Sequence, residues 1–187
     1  MVELHGQQVR LRELRADDLD ASLTVVGDDR VTKSLSFNSL DRDTQAVRLA
    51  GAVERAQYLP RTEYYLAVTA LVDDLLIGFA RLELTGMHAA KLGGAGAVGV
   101  WGQGYATDAA RTLITYGFND LGLHRITAAI GPDNTASLSL VGRLGFTYEG
   151  RLRDHVHTNG AWRDSNLYSM LATEWKSNEG ISTERKE

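Results

Sequence analysis

Gly102, Gln103 and Gly104 stand directly before Tyr105-Ala106-Thr107-Asp108, a run that reads as the start of a helix. A helix start presents several unpaired backbone N–H groups and a partial positive charge. Glycine lets that backbone approach a guest with no side chain in the way. An anion, above all a diphosphate, is the natural guest; a plain tight turn before a helix is the alternative. A second candidate is the pair His155 and His157. Two residues apart on a predicted strand, they project to one face, and an unperturbed pKa of about 6.5 suits acid–base work. The plainer reading is two surface histidines, and a metal would need a third ligand that the sequence does not place. Asp154 and Asp164 could bind or steer a cationic group, or simply be exposed strand carboxylates. His88, in a predicted loop, is a weaker candidate.

Just upstream, Gly94-Ala95-Gly96-Ala97-Val98-Gly99 fits a G-x-G-x-x-G fingerprint, with Asp120 at the expected distance beyond it. In that fold the third glycine lies inside a helix, but here Val100-Trp101-Gly102-Gln103-Gly104 follows. Two more glycines in the first turns would each cost about 1 kcal/mol relative to alanine. Asp120 also falls inside a helical pattern instead of ending a second strand. A nicotinamide-binding oxidoreductase is therefore the lesser reading.

The elements that must position these residues follow from periodicity. Val9 to Leu14 alternates as a half-buried strand does, and Ala16-Asp17-Asp18-Leu19 reads as a helix start. Asp28 to Asn38 reads as a loop between two helices. The second runs from a cap at Asp41 to near Tyr58, with Ala46, Val47, Ala50, Val53 and Ala56 at helical spacing and Pro60 as its stop. Strands are predicted over Tyr64 to Leu71 and Leu75 to Leu84, joined through Asp73-Asp74. A glycine-rich strand is predicted over Lys91 to Val100. Ala106 to Leu121 is the clearest helix, with Gly122 as its C-cap. The strand Arg125 to Ile130 leads through Gly131-Pro132-Asp133 to a short helix capped by Asn134 and ending near Gly145. Two long strands, Phe146 to Thr158 and Trp162 to Leu171, close on an Asn159-Gly160 hairpin turn.

Composition removes several classes. The 187 residues are 43% hydrophobic and 24% charged, which suits one soluble domain with a single sizeable core. A formal charge of −4 leaves no basic footprint for nucleic acid, and no polybasic run marks an anionic membrane surface. The absence of cysteine excludes disulfides, thiolate metal sites and a cysteine nucleophile. Neither an apolar leader after Met1 nor a long apolar run is present, so the expectation is a cytoplasmic protein.

The ordered motifs resemble the GNAT superfamily of N-acetyltransferases, and within it the Rim-type branch that acylates ribosomal proteins and antibiotics. Trp101-Gly102-Gln103-Gly104-Tyr105-Ala106-Thr107-Asp108-Ala109-Ala110 is similar to the family's pyrophosphate motif. Leu121-Gly122-Leu123-His124-Arg125-Ile126 is similar to the segment that follows it. Asn134-Thr135-Ala136-Ser137, with Gly145-Phe146, resembles the second cofactor motif. Asn159-Gly160-Ala161-Trp162-Arg163-Asp164, with Leu167-Tyr168 and Leu171, resembles the closing hairpin. The resemblance implies a mixed α+β fold, a mostly antiparallel twisted sheet of about seven strands flanked by about four helices. It would form one domain over residues 1–175, followed by a polar, mobile tail over 176–187.

The resemblance further implies acetyl-CoA as cosubstrate, no metal, and a primary amine as acceptor. The N–H groups of Gly102, Gln103, Gly104, Tyr105, Ala106 and Thr107 would bind the pyrophosphate. Gly94, Ala95 and Gly96 would pair with the pantetheine arm, and Asn134 would hydrogen-bond it unless capping occupies that side chain. Ser137 would protonate the departing thiolate, unless it is only a solvated serine of the first helical turn. The family often has glutamate where Lys91 stands, and aromatic residues where Gly94 and Ala95 stand. Some ribosomal members place a glutamate base where Val156 aligns. The resemblance thus leaves the base unidentified; His157 and His155 are the candidates from their strand spacing, acting on an amine that attacks the thioester directly. The loop Asp28 to Asn38 would cover the acceptor, with Phe37 lining a pocket or buried in the core, and Asp164 on the substrate. Acceptors range from a ribosomal-protein N-terminus to a polyamine, a sugar amine or an amino-bearing antibiotic or peptide, and family members often form homodimers. A non-catalytic acyl-CoA-binding module on the same fold is the alternative.

Overall fold

Alternating apolar and polar residues lay down eight strands, and a computed structural model of residues 1–175 joins them in one sheet. The tail expected over 176–187 lies outside the described residues. The order along the chain is β1 (Glu3–His5), β2 (Val9–Glu13), a 3-10 turn Ala16–Asp18, α1 (Leu19–Val26), α2 (Asp29–Thr32) and α3 (Arg42–Arg55). Then come β3 (Glu63–Ala70), β4 (Leu76–Gly86), β5 (Ala89–Gly96), α4 (Tyr105–Asn119), β6 (Arg125–Ile130), α5 (Thr135–Leu144), β7 (Thr147–Thr158) and β8 (Ala161–Leu171). In space the strands run β1-β2-β3-β4-β5-β6-β8-β7, antiparallel throughout except for the parallel pair β5 and β6.

The mixed α+β architecture is the one expected, with differences of detail. β1 is too short to show alternation, and α2 is one helical turn inside the segment read as a loop. A further helical turn occupies 172–175. β5 stops at Gly96, and Val98–Val100 forms a 3-10 turn. On α3 the buried residues are Gln45, Leu49 and Ala52, whereas Val47 is 75% exposed. Its many alanines made the apolar stripe ambiguous by one position. α4 ends at Asn119, and Gly122 takes its left-handed conformation (φ 63°) beyond the Asp120 cap.

Two cores sandwich the sheet. On one face α4 and α5 cover Val9, Leu11, Leu66, Leu82, Ala90 and Ile126 with Leu113, Ile114 and Val141. Burying each large aliphatic side chain there contributes about 1.5–3 kcal/mol. On the other face α1, α2 and α3 cover Ala67, Leu76 and Phe79 with Val25, Val31 and Leu49. Ala95, Ala97 and Val98 reach this second core, so the helical layer extends as far as β5.

The functional geometry begins where β5 and β6 part. They pair only at Ala89–Arg125, Ala90–Ile126 and Lys91–Thr127. Beyond that point β5 continues against β4 up to Gly96, while β6 continues against β8 up to Ile130. The edges facing each other across the opening carry no ladder partner among the described residues. Both strands then enter helices, so α4 and α5 begin at the same end of the sheet.

One carboxylate holds α4 in place. Asp108, buried in its first turns, accepts from the N–H groups of Gln7 (3.1 Å), Gln8 (2.7 Å) and Val9 (3.1 Å). The fit is tight: a Cβ on Gly6 would lie 2.5 Å from Asp108 Oδ2. A second anchor, Arg12, donates to both oxygens of Asp18 and to Asp74, tying β2 to the first helical turn and the β3–β4 hairpin. Asp108→Ala leaves three backbone donors without their acceptor, and a loss of about 3 kcal/mol is expected in urea unfolding.

Candidate active site

Trp101 to Gly104 links the 3-10 turn to α4. Gly102 (φ 76°) and Gly104 (φ 90°) are left-handed, and Gln103 between them is not. This alternation curls successive N–H groups toward one concavity, and only glycine takes these angles at little cost. The N–H groups of Gly102, Gln103, Gly104, Tyr105 and Ala106 have no acceptor among the described residues. The sixth expected donor differs. Thr107 gives its N–H to Gly104 O at 3.0 Å, and its hydroxyl accepts from Arg143 at 3.3 Å. The loop is braced by its own side chains, Trp101 Nε1 donating to Gly96 O (2.8 Å) and Gln103 Nε2 to Gly99 O (3.0 Å). A Cβ on Gly102 would meet open space.

Gly94, Ala95 and Gly96 form the β5 side of the opening, with the Gly96 carbonyl already taken by Trp101. On the β6 side, Asn134 follows the turn after that strand and caps α5. Its Oδ1 accepts from Ser137 N–H at 3.1 Å, so the acceptor half of the amide is a helix cap, leaving its NH2 group as a donor. The Ser137 hydroxyl, half-buried in the first turn of α5, has no partner among the described residues. The decoy glycines 94 to 99 span a strand end and a 3-10 turn with no helix start, so the strand–turn–helix of a dinucleotide site is not formed there.

The two histidines part company in the structure. Between Leu152, paired with Ser165, and Val156, paired with Arg163, β7 bulges by extra residues. Asp154 is left-handed (φ 48°) within the bulge. The bulge turns His155 inward, where Nδ1 lies 2.9 Å from the Oγ of buried Ser165. Burial, with the Lys91 charge adding to it, pushes the His155 imidazole below the ordinary histidine value. A neutral ring whose Nδ1–H donates to Ser165 keeps a lone pair on Nε2, as a base requires. The residues Arg151 to His155 line an open groove of about 750 Å³ that reaches this side chain. His157 instead is exposed and meets Trp162 edge to face at 5.1 Å.

Other expected residues have structural duties. Asp164 accepts from Arg151 Nε (2.6 Å) and from the Asp154 N–H (2.9 Å), so it staples the bulge. Those two bonds, the backbone one first, hold its carboxyl below the usual range. A role for Asp164 in binding the acceptor would compete with both. Phe37 is half-buried against the second core with the Arg48 guanidinium 4.3 Å over its ring. His88 sits at the closed end of the β5–β6 pair, its Nδ1 3.0 Å from Gly122 O. Sequence reasoning missed Asp108, Ser165 and Arg163. Asp108 carries the signal of a helix-start carboxylate, but its partners lie about a hundred residues away. Ser165 and Arg163 owe their roles to strand register. A second groove, about 730 Å³, runs between the end of α1, the start of α2 and Ala97 to Gly99, beside the glycine loop.

Comparison with known proteins shows the family. The model of the acetyltransferase (GNAT) domain matches residues 8–147. The chain is 28% identical over 177 residues to the uncharacterized N-acetyltransferase p20 of Bacillus licheniformis, covering 94% of this chain and 99% of that protein. It is 32% identical over 97 residues to the [ribosomal protein uS5]-alanine N-acetyltransferase of Escherichia coli, covering 52% and 50% of the two. Mycobacterium smegmatis RimJ, solved in complex with CoA-disulfide, shares the fold with a TM-score of 0.83 at 21% identity, over 98% of this chain and 95% of that one.

In an NMR titration the His155 ring is expected to protonate below the usual histidine midpoint. Lys91→Gln should move that midpoint upward, because a cation that disfavours the imidazolium is gone. A midpoint above the ordinary value, or one that Lys91→Gln lowers, would contradict this reading.

Proposed function

Since the chain belongs to the GNAT family and is an acetyl-CoA-dependent N-acetyltransferase, we propose that the opening between β5 and β6 is where acyl transfer occurs. The observation that carries the reading is the set of five consecutive N–H groups at the start of α4 that have no acceptor among the described residues. Such a cradle suits a diphosphate, and its position beside the parted strands suits an extended arm lying between them. Gly102 to Ala106 would hold the diphosphate. The free edge of β5 at Gly94 and Ala95 would hold the arm, together with the Asn134 NH2 group. Acetyl-CoA supplies a thioester carbonyl that an amine can attack.

The chain's own residues would then manage protons. His155, neutral and hydrogen-bonded to Ser165, takes the proton that the amine must lose. Ser137, whose hydroxyl has no partner among the described residues, gives a proton to the departing sulfur. No cysteine is present to carry an acyl group, so the amine attacks directly in a ternary complex. For the acceptor we propose an unhindered primary amine, with a protein N-terminus as the leading class. The support is the uS5-alanine enzyme of Escherichia coli, with which this chain shares 32% identity over half its length.

A thiol-release assay with acetyl-CoA, an alanyl peptide and spermidine tests the proposal. Turnover is expected with at least one amine; no release across a broad amine panel would remove it. His155→Ala should lower kcat by about 10²-fold or more and abolish the acid limb of the kcat/KM profile, whereas His157→Ala should leave that limb in place. Gly104→Ala should weaken coenzyme A binding by about tenfold in calorimetry, because alanine at φ 90° strains the cradle. Unchanged affinity would show that the cradle does not bind the diphosphate.

A further inference from the structure

Arg163 makes a connection that the reaction described above does not use. It lies on β8 two residues before Ser165, so both side chains belong to the same face of the sheet. The Lys91–Thr127 and Thr127–Ser169 pairings put that face on the side of Lys91 and Ala95, the side covered by α1 to α3. The guanidinium of Arg163 reaches across to the segment after α2. Its NH2 group donates to Leu35 O at 2.6 Å, and its NH1 group donates to Lys33 O. It also donates to the Oγ1 of buried Thr158 at 2.7 Å, which fixes the fork at its own end. A second link lies beside it, the Asn159 N–H donating to Asn38 Oδ1 at 3.2 Å.

These links join elements that are far apart in the strand order. Residues 33–38 belong to the helical layer, whose apolar core among the described residues takes in strand residues of β3, β4 and β5. Arg163 and Asn159 belong to the β7–β8 hairpin, beyond β6 in the strand order. The bridge therefore spans the gap between β5 and β6, over the face on which His155 and Ser165 lie. We infer that Arg163 is a positioning residue, latching residues 33–38 to the β7–β8 hairpin as a roof on the acceptor side of the opening. The inference rests on the transfer reading given above. The roof narrows the approach to His155 for an incoming amine, while the glycine cradle at the start of α4 lies outside it. Arginine suits the role because its planar fork donates to two carbonyls and a hydroxyl together. Lysine can reach them only as a point charge.

Removing the latch should act on the amine and spare the coenzyme. Arg163→Ala is expected to raise the KM for the alanyl peptide about tenfold, with the Kd for coenzyme A changed by less than about twofold. The same variant should speed tryptic cleavage after Lys33, an exposed site whose carbonyl Arg163 holds, by about tenfold, as read by mass spectrometry. Arg163→Lys should fall between the two. If Arg163→Ala does not fold, Asn38→Ala removes only the neighbouring link and should shift both readouts in the same direction by a smaller factor. Parallel weakening of amine and coenzyme, or a loss of kcat or Tm with the amine KM and Lys33 cleavage unchanged, would overturn the latch. If the wild-type protein releases no thiol with any amine, the transfer reading fails. The proteolysis arm still judges the bridge, which stands or falls on the Lys33 rates.

Discussion

The structure depends on a single buried carboxylate. Asp108 sits in the first turns of α4 and takes three backbone N–H groups from the turn that opens β2. A helix held only by its apolar stripe can slide or rotate by a fraction of a turn at small cost. Three charge-assisted hydrogen bonds to a strand backbone remove that freedom at the end where position matters most. The glycine loop is continuous with this turn, so fixing Asp108 fixes the directions of the N–H groups just before it. Preorganisation of that kind lets a site bind an anion without reordering its backbone first.

The opening in the sheet is the second half of the same design. Parallel strands that pair at three positions and then part leave backbone groups facing one another with no ladder between them. In an ordinary sheet this would be a defect, because unpaired backbone donors and acceptors are costly to bury. Here both strands run into helices at the same end, so the gap lies beside two helix starts and a glycine cradle. In the proposed reading, backbone would supply the recognition along β5, and Gly94 and Ala95 could then stand where the family often has aromatic residues without damage to that edge.

On the other side of the opening, an irregularity in β7 sets the environment of the proposed base. Without the bulge in β7, strict alternation would leave His155 and His157 on one face as equivalent surface groups. The extra residues break the register, Asp164 fastens the break, and one histidine turns toward Ser165 while the other stays in solvent against Trp162. Lys91 fits this environment. Where the family often carries an acid, this chain has a cation whose charge adds to burial in lowering the pKa of the nearby imidazole.

What was readable from residue order was whatever depends on near neighbours along the chain. The period of α4, the caps at Asp41 and Asn134, the Asn159-Gly160 turn and the glycine loop are all local, because helix periodicity, capping and left-handed turns involve residues a few positions apart. The motif order then pointed to the family, and through it to the mixed sheet. Tertiary structure alone decided the rest. The inward face of α3 depended on what packed against it, and the difference between His155 and His157 depended on a change of register between two strands. Asp108 gained its partners from residues 7 to 9, and Arg163 from carbonyls at 33 and 35, contacts that span about a hundred residues or more. Such contacts cannot be read from spacing, because a carboxylate or guanidinium carries no mark of its distant partner until the chain has closed the loop between them.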